Sequence, residues 1–207
     1  MGTRVAIPSR QNLFVRSQEF DVAWTLTQGT IAANAAIAPD GTMTADQFIE
    51  SAAAAGDVAH QLQQTAGGTV GFVKGSLSIF LKPNGRDWIL MVGSGGGAVA
   101  WANVATNAIG TIVPSTASLV CEPASNWIEG ADASWKRVTF TFPVVDNTVP
   151  YIHAFRPATG DGVATYIGDG ASGFYMWGAQ FVLANWAGYY QPTTAAIVNT
   201  GPLRSLP

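Results

Sequence analysis

The chain has 207 residues, of which 48% are apolar and only 11% are charged, and its net charge is −3. This length suits one large domain or two small ones, and the absence of clustered Lys and Arg argues against binding nucleic acid through its phosphates. Cys121 is the only cysteine, which excludes a disulfide framework and a cysteine-rich zinc site. Because an average soluble domain has roughly 25% charged residues, the composition favours a subunit that is partly covered by neighbours.

The first half of the chain contains short β-type runs separated by turn signals. Residues 1–11 have no period and are predicted to be an N-terminal arm. Pro39-Asp40-Gly41 predicts a turn, because proline fixes φ, aspartate bonds the local backbone and glycine accepts a positive φ. Asn84-Gly85 lies between two apolar runs and predicts a hairpin. The predicted strands of this half share alternating or β-branched patterns and cover residues 12–17, 25–34, 43–49, 58–65 and 76–81.

The second half continues the same pattern. Residues 93–97 include four glycines and predict a loop, since neither the Lys-Ser/Thr of a phosphate-binding loop nor a helix pattern follows. The run 173–183 is apolar on both faces and predicts a central strand, in which Gly178 marks a bulge or a closely packed neighbour. The other predicted strands of this half are 88–92, 99–103, 111–120, 134–142 and 151–156.

The run 134–142 has the cleanest alternation in the chain. Val138, Phe140 and Phe142 are predicted to face the core, with Arg137 and its alternate neighbours facing outward. About a dozen such short strands, with no amphipathic helix between them, predict an all-β fold: an antiparallel β-sandwich of the jelly-roll type. We expect one domain at residues 12–192, an arm at 1–11 and a C-terminal tail at 193–207.

Several short motifs follow one another along nearly the whole chain. They are Asn12-Leu13 with Glu19-Phe20 and Trp24, Ala38-Pro39-Asp40-Gly41-Thr42 with Thr44-Ala45-Asp46, Trp135-Lys136-Arg137-Val138-Thr139-Phe140, Tyr175-Met176-Trp177-Gly178-Ala179-Gln180, and Tyr190-Gln191-Pro192-Thr193. In this order they resemble the carbohydrate-binding-module-like jelly roll of tailed-phage structural proteins. The resemblance implies a concanavalin-like or galactose-binding-like sandwich that serves on virions as a head decoration, head fibre or tail component.

The resemblance also implies partners and an ion. The expected partners are other virion proteins, either major capsid or tail subunits, and a host polysaccharide. Related glycan-binding modules often hold a structural calcium near their first and last strands. Gln180 stands where those modules tend to place an aspartate, so we expect no cofactor, with a structural calcium as the alternative.

The sequence offers little for catalysis. His60 and His153 lie in separate strands without the close spacing of a metal site, and we expect them to be surface or satisfied core residues. The acidic residues fall mostly in turns, so no carboxylate pair for glycoside hydrolysis is indicated. A Gly-x-Ser-x-Gly nucleophile elbow is also missing. We therefore expect a protein that is not an enzyme.

Glycan binding depends on exposed Trp and Tyr side chains, which stack on the apolar faces of sugars. Trp127 is the first candidate, because it lies in the polar loop 122–132 with Asn126 and Glu129 as partners for sugar hydroxyls. Other tryptophans near turns are further candidates for sugar contact or for a subunit interface: Trp88, Trp101 and Trp186. The two tryptophans inside strand patterns are predicted to be core residues: Trp135 and Trp177.

Two functions are compatible with these features. The first is a non-enzymatic virion structural protein, a capsid decoration, cement or head-fibre subunit that forms a homo-oligomer, with a trimer favoured. The second is a glycan-binding adhesion module that attaches the virion to host polysaccharide. Convergent exposed aromatics would favour the second. Without a signal-peptide pattern or a run of about 18 apolar residues, we expect synthesis in the host cytoplasm and no membrane contact.

Overall fold

The computed structural model of the protein describes residues 11–52, 59–66, 73–93, 97–144 and 151–195. In these residues, twelve strands form two six-stranded antiparallel sheets that pack as a sandwich. The strands are β1 (Thr25–Thr27), β2 (Gly29–Ala36), β3 (Ala45–Glu50), β4 (Gln61–Ala66), β5 (Val73–Asn84), β6 (Trp88–Gly93), β7 (Ala98–Asn103), β8 (Ala108–Val113), β9 (Ser118–Pro123), β10 (Lys136–Val144), β11 (Tyr151–Ala158) and β12 (Gly173–Val182).

The first sheet has the order β1-β4-β11-β6-β7-β8, and the second has the order β2-β3-β12-β5-β10-β9. This arrangement confirms the predicted all-β antiparallel sandwich with a jelly-roll-like order of strands. One turn of 3-10 helix follows β9 at Ala124–Asn126. Within the described ranges, no helix is long and apolar enough to cross a membrane.

The core lies between the sheets and is built by alternation along the strands. On β10, Val138, Phe140 and Phe142 are fully buried in it, as predicted. Phe142 stacks parallel to Phe181 of β12 at a centroid distance of 6.2 Å. Burial of each large side chain of this kind contributes about 1.5–3 kcal/mol to folding, so this inner face holds the two sheets together.

β12 is a central strand, as its pattern predicted. It pairs with β3 on one side and β5 on the other. Nine of its ten residues are buried, and the tenth, Tyr175, is half-buried. The register with β5 shifts between Trp177 and Gln180, and Gly178 has a φ of 64°. A Cβ at this glycine would lie 3.1 Å from the Phe80 ring and 3.3 Å from the Tyr190 ring. Gly178 therefore provides both a bulge and room for closely packed aromatics.

Three local predictions are wrong because the chain crosses between the sheets where the sequence suggested continuity. The runs 25–34 and 111–120 each contain two strands, one in each sheet. Residues 84–85 form no hairpin, since β5 lies in the second sheet and β6 in the first. Gly85, with a φ of 83°, forms a bridge with Gly173, and the following Arg86 bonds to Glu50. These contacts direct the turn across one end of the sandwich.

Residues 12–17 are also wrongly predicted, because they do not form a strand. The Asn12 side chain supplies hydrogen bonds that a strand would have made with its backbone. Its Oδ1 accepts from the backbone N–H groups of Phe14 and Phe181, and its Nδ2 donates to Ala179 O and Gln191 O. The other predicted strands are present, with ends within three residues of the prediction. Parts of the predicted loops at 51–57 and 93–97, the arm 1–11 and the tail 193–207 lie outside the described residues.

Candidate functional site

Part of the outer face of the second sheet is covered by other segments of the chain. A second apolar cluster on this face contains the buried side chains of Phe80, Trp135 and Trp177. The loop 124–135 and the segment that follows β12 pack over it, through Trp127 and Tyr190 respectively. Trp135 and Trp177 are only 1% and 3% exposed, so the prediction that they are core residues is confirmed, although they belong to this outer cluster.

Arg137 lies beneath this cover and is only 1% exposed. The prediction that its face of β10 meets solvent is wrong for this residue, because the loop 124–135 covers it. Its Nη1 donates to Gly188 O at 2.7 Å and its Nη2 donates to Ser78 Oγ at 3.0 Å. The guanidinium carbon is 4.2 Å from the centroid of the Trp127 ring. Burial lowers the pKa of Arg137 to about 10, so the side chain remains a cation at neutral pH.

Three aromatic rings form a surface that we call the aromatic platform: Trp127, which lies over Arg137, and its two neighbours Trp186 and Tyr189. The Trp127 ring centroid is 6.0 Å from that of Trp186 and 5.8 Å from that of Tyr189. Trp186 is 46% exposed and Tyr189 is 72% exposed. Trp127 is half-buried and contacts both the Arg137 guanidinium and the two outer rings. The platform therefore offers two solvent-facing rings on a rigid base.

A carboxylate on β9 fixes the orientation of Trp127. Glu122 Oε1 accepts a hydrogen bond from Trp127 Nε1 at 2.8 Å, and its Oε2 accepts one from Asn126 Nδ2 at 3.0 Å. Glu122 is also the cross-strand partner of Arg137 in the β9–β10 ladder, so it is anchored by the sheet. As a result, a carboxylate and an exposed amide side chain lie at the edge of the platform.

The segment that carries Trp186 and Tyr189 is fixed by side chains of the sheet below it. Ser76 Oγ donates to Ala184 O at 2.8 Å, Gln180 Nε2 donates to Ala187 O, and Arg137 donates to Gly188 O. Three backbone carbonyls of one short loop are thus satisfied by three strands of the second sheet. This bonding orders the outer rings before any ligand arrives.

The side-chain amide of Gln180, on the central strand β12, is bonded at both ends within the protein. Its Oε1 accepts from Gln191 N at 2.8 Å while its Nε2 bonds Ala187 O. Both ends of the Gln180 amide therefore bond to the backbone of the segment that follows β12. Over the part of the chain that the structure describes, His, Cys, Asp and Glu side chains form no group of three that could hold a metal ion.

The candidate glycan residues named from the sequence divide between the two sheets. Trp127 and Asn126 belong to the platform and its edge, and Glu129 is exposed on the same loop. Trp88 is the first residue of β6, and Trp101 lies on β7. Both strands belong to the first sheet, away from this surface. Trp101 is 7% exposed and donates Nε1 to Val163 O, which leaves little ring surface for a sugar.

A separate polar cluster lies at one end of the sandwich. At its centre is Glu50, which is 1% exposed. Its carboxylate accepts from Arg86, from Tyr166 OH at 2.6 Å and from Asp169 N at 2.8 Å. The hydrogen bond to Glu50 raises the pKa of Arg86. The contacts of this cluster hold together β3, the β5–β6 turn and the segment before β12.

The two histidines are both fully buried and have different surroundings. His60 lies between two backbone carbonyls, with Nδ1 2.7 Å from Gln28 O and Nε2 3.3 Å from Tyr166 O. His153 lies in the main core, with its ring centroid 4.0 Å from that of Phe181. His60 is therefore the satisfied core residue that was one of the two expected alternatives. His153 departs from both alternatives, because its Nε2 lies 3.3 Å from Ala66 O while its buried Nδ1 has no hydrogen-bond partner among the described residues.

The sequence did not identify Tyr189 as a member of the platform, nor Arg137 and Glu122 as the residues that support Trp127. The signal for Tyr189 was an aromatic pair directly after a small-residue turn, Trp186-Ala187-Gly188-Tyr189-Tyr190, which places bulky rings outside the strand pattern. A comparison of the sequence with models of known protein families and with curated proteins finds no match. The geometry of the platform is therefore the basis on which a function is inferred.

Proposed function

We propose that this protein is a non-enzymatic glycan-binding β-sandwich, carried on the outside of a phage particle, where it holds host surface polysaccharide. The observation that carries this proposal is the convergence of Trp127, Trp186 and Tyr189 on one surface with two rings exposed. Convergent exposed aromatics are the feature expected of a binding module rather than of a purely architectural subunit. They support ranking glycan binding first, reversing the order that the sequence favoured.

The chemistry of the platform suits a sugar. The apolar C–H faces of a pyranose ring pack against aromatic rings, and its hydroxyls need donors and acceptors at the ring edge. Glu122 uses each carboxylate oxygen for one bond within the chain, while a carboxylate can accept about four. Asn126 is exposed and retains an amide oxygen for a hydroxyl donor. Both groups are positioned in advance, which lowers the entropic cost of binding.

The location on a phage particle is supported by the order of motifs along the chain and by its low charge.

A specific surface also favours an architectural role as the second candidate. Side chains on the neighbouring edge strands β8 and β9 expose large apolar groups: Ile109, Val113 and Val120, each 43–48% exposed. Such an edge suits contact with a neighbouring subunit in a homo-oligomer, with a trimer favoured, or with a capsid or tail protein. The two roles are compatible, since a mounted subunit can also bind a glycan.

Removal of the most exposed ring of the platform tests the proposal. We expect Tyr189→Ala to weaken binding to the recognised bacterial surface polysaccharide by about fivefold or more, by analogy with nucleic-acid bases, for which stacking on one aromatic side chain contributes about 1–3 kcal/mol. Tyr189→Phe keeps the ring and should bind like the wild type. The measurement is tryptophan fluorescence titration of the purified protein against a panel of such polysaccharides.

Ile167→Ala is the matched control, because Ile167 is an apolar side chain of similar exposure, 61%, outside the platform. It should leave the affinity unchanged. Light scattering on the same samples reports the oligomeric state. A wild-type protein that forms a stable oligomer and binds no polysaccharide in the panel would overturn the glycan-binding proposal in favour of the architectural role.

A further inference from the structure

A groove of about 290 Å³ lies on the protein surface beside the loop that carries Trp127. One wall is the turn between β2 and β3, with Ile37, Pro39 and Gly41. The opposite wall is the loop 124–135, with Gly130 and Asp132, and Lys82 of β5 also lines the groove. Nothing lies within 4 Å of a Cβ placed on either glycine, so both walls are open at these points.

The groove combines apolar walls with one donor and one acceptor. Ile37 is 59% exposed. Lys82 Nζ lies 3.8 Å from Asp132 Oδ2, and the two side chains are 34% and 63% exposed. This ion pair is long and open to solvent, so it can exchange its partners for sugar hydroxyls at little cost. Asp132 Oδ1 accepts from Ser134 N at 2.8 Å, which fixes the acceptor in place.

The groove and the platform are close neighbours on the same face of the second sheet. Trp127 and Gly130 are three residues apart, so their Cα atoms are separated by at most about 11 Å. The Phe80 ring lies 5.4 Å from the guanidinium carbon of Arg137, beneath the platform. Lys82 is two residues further along β5, which corresponds to about 7 Å along the strand. One extended ligand can therefore contact both.

We infer that the platform and the groove form one continuous binding surface for the interior of a polysaccharide chain, with a sugar unit on the platform and a further unit in the groove. This inference rests on the proposed function and adds the length of the ligand. The charges of Lys82 and Asp132 cancel, as do those of Arg137 and its cross-strand neighbour Glu122, so the exposed Glu129 leaves this surface with a net negative charge. The preferred chain is therefore uncharged rather than acidic.

The test is a length series on single substitutions. Lys82→Met retains the aliphatic stem and removes the ammonium, and Asp132→Asn retains an acceptor for Ser134. Oligosaccharides of increasing length, cut from the polysaccharide that the wild type binds, are titrated by calorimetry. We expect both variants to bind long oligosaccharides about three- to tenfold more weakly and to bind the shortest ones normally. Lys82→Met loses one hydrogen bond to the sugar, and Asp132→Asn replaces a charge-assisted bond with a weaker neutral one. Tyr189→Ala should weaken binding at every length.

The outcomes separate the groove from the platform. If the Lys82 and Asp132 variants bind long oligosaccharides as the wild type does, or lose affinity equally at all lengths, the inference about the groove is overturned while the platform remains. If the wild type binds no oligosaccharide or polysaccharide, the proposed function itself fails. Stronger binding to acidic than to uncharged oligosaccharides would overturn the charge preference. Denaturation midpoints of the variants confirm that both remain folded.

Discussion

Replacement of Arg137 by alanine is expected to lower the free energy of unfolding by about 3 kcal/mol, because the change combines unpaired buried acceptors with a new cavity. Gly188 O and Ser78 Oγ would both lose a buried donor. The Trp127 ring would lose the guanidinium beneath it. Since Gly188 precedes Tyr189 directly, the same substitution should loosen the platform and weaken polysaccharide binding.

Two further variants separate the contributions of Arg137. Arg137→Met keeps most of the buried stem, so its loss of stability should be smaller than that of alanine, while the Gly188 carbonyl still lacks a donor. Binding should therefore fall in both variants. Lys74→Ala removes an exposed cation from β5 of the same sheet and should change stability by less than about 0.5 kcal/mol. The measurements are urea denaturation and near-ultraviolet circular dichroism, which reports tryptophan packing. An unchanged denaturation midpoint for Arg137→Ala would contradict this account.

The burial of Arg137 is costly for the fold, which supports a role in shaping the platform. A buried cation normally requires a paired carboxylate. Among the described residues, no carboxylate oxygen lies within 4.0 Å of an Arg137 nitrogen, and Glu122 on the neighbouring strand attracts the guanidinium from further away. The faces of Trp127 and Phe80 on either side offset part of the desolvation cost through cation–π attraction. An apolar residue could fill this space, but it could not hold the Gly188 carbonyl.

The inner faces of the sandwich could be predicted from the sequence, because they depend on local alternation. Val138, Phe140 and Phe142 face the core since their spacing matches the period of a strand. The same period correctly places the Arg137 side chain on the opposite, outer face of the sheet. Its burial was not predictable, because it depends on the loop 124–135 and on a segment more than 40 residues away packing over that face.

The path of the chain between the sheets was equally hard to predict. Asn84-Gly85 has the composition of a hairpin turn, and Gly85 does adopt a positive φ. The chain nevertheless crosses to the other sheet after Gly85, where Arg86 forms a bidentate pair with Glu50. That pairing joins residues 36 positions apart. Trp127 was identified as a site candidate because a large ring in a polar loop is unusual, whereas its partner Tyr189 is 62 residues away by the numbering.

Acidification is expected to destabilise the protein through His153. This side chain is fully buried among Phe14, Phe142 and Phe181. Burial lowers the pKa of His153 to about 4, from 6.5 for an exposed histidine. Between these values the unfolded chain binds a proton that the folded protein does not. The free energy of unfolding should therefore fall by about 3 kcal/mol from this residue as the pH decreases from about 6.5 to 4.

The difference between the wild type and His153→Phe isolates this contribution. Buried Asp46, whose pKa is raised by burial, and Asp169, whose pKa is lowered by hydrogen bonds from Ser172, also titrate in acid. Both are present in the two proteins, so their effects cancel in the comparison. Urea denaturation at pH 7 and at several pH values down to 4 should show a steeper loss of stability for the wild type. His153→Leu provides a second apolar replacement if phenylalanine packs poorly. Because either variant lacks the group that must be protonated, a slope equal to that of the wild type in both would show that His153 is not the source of the acid sensitivity.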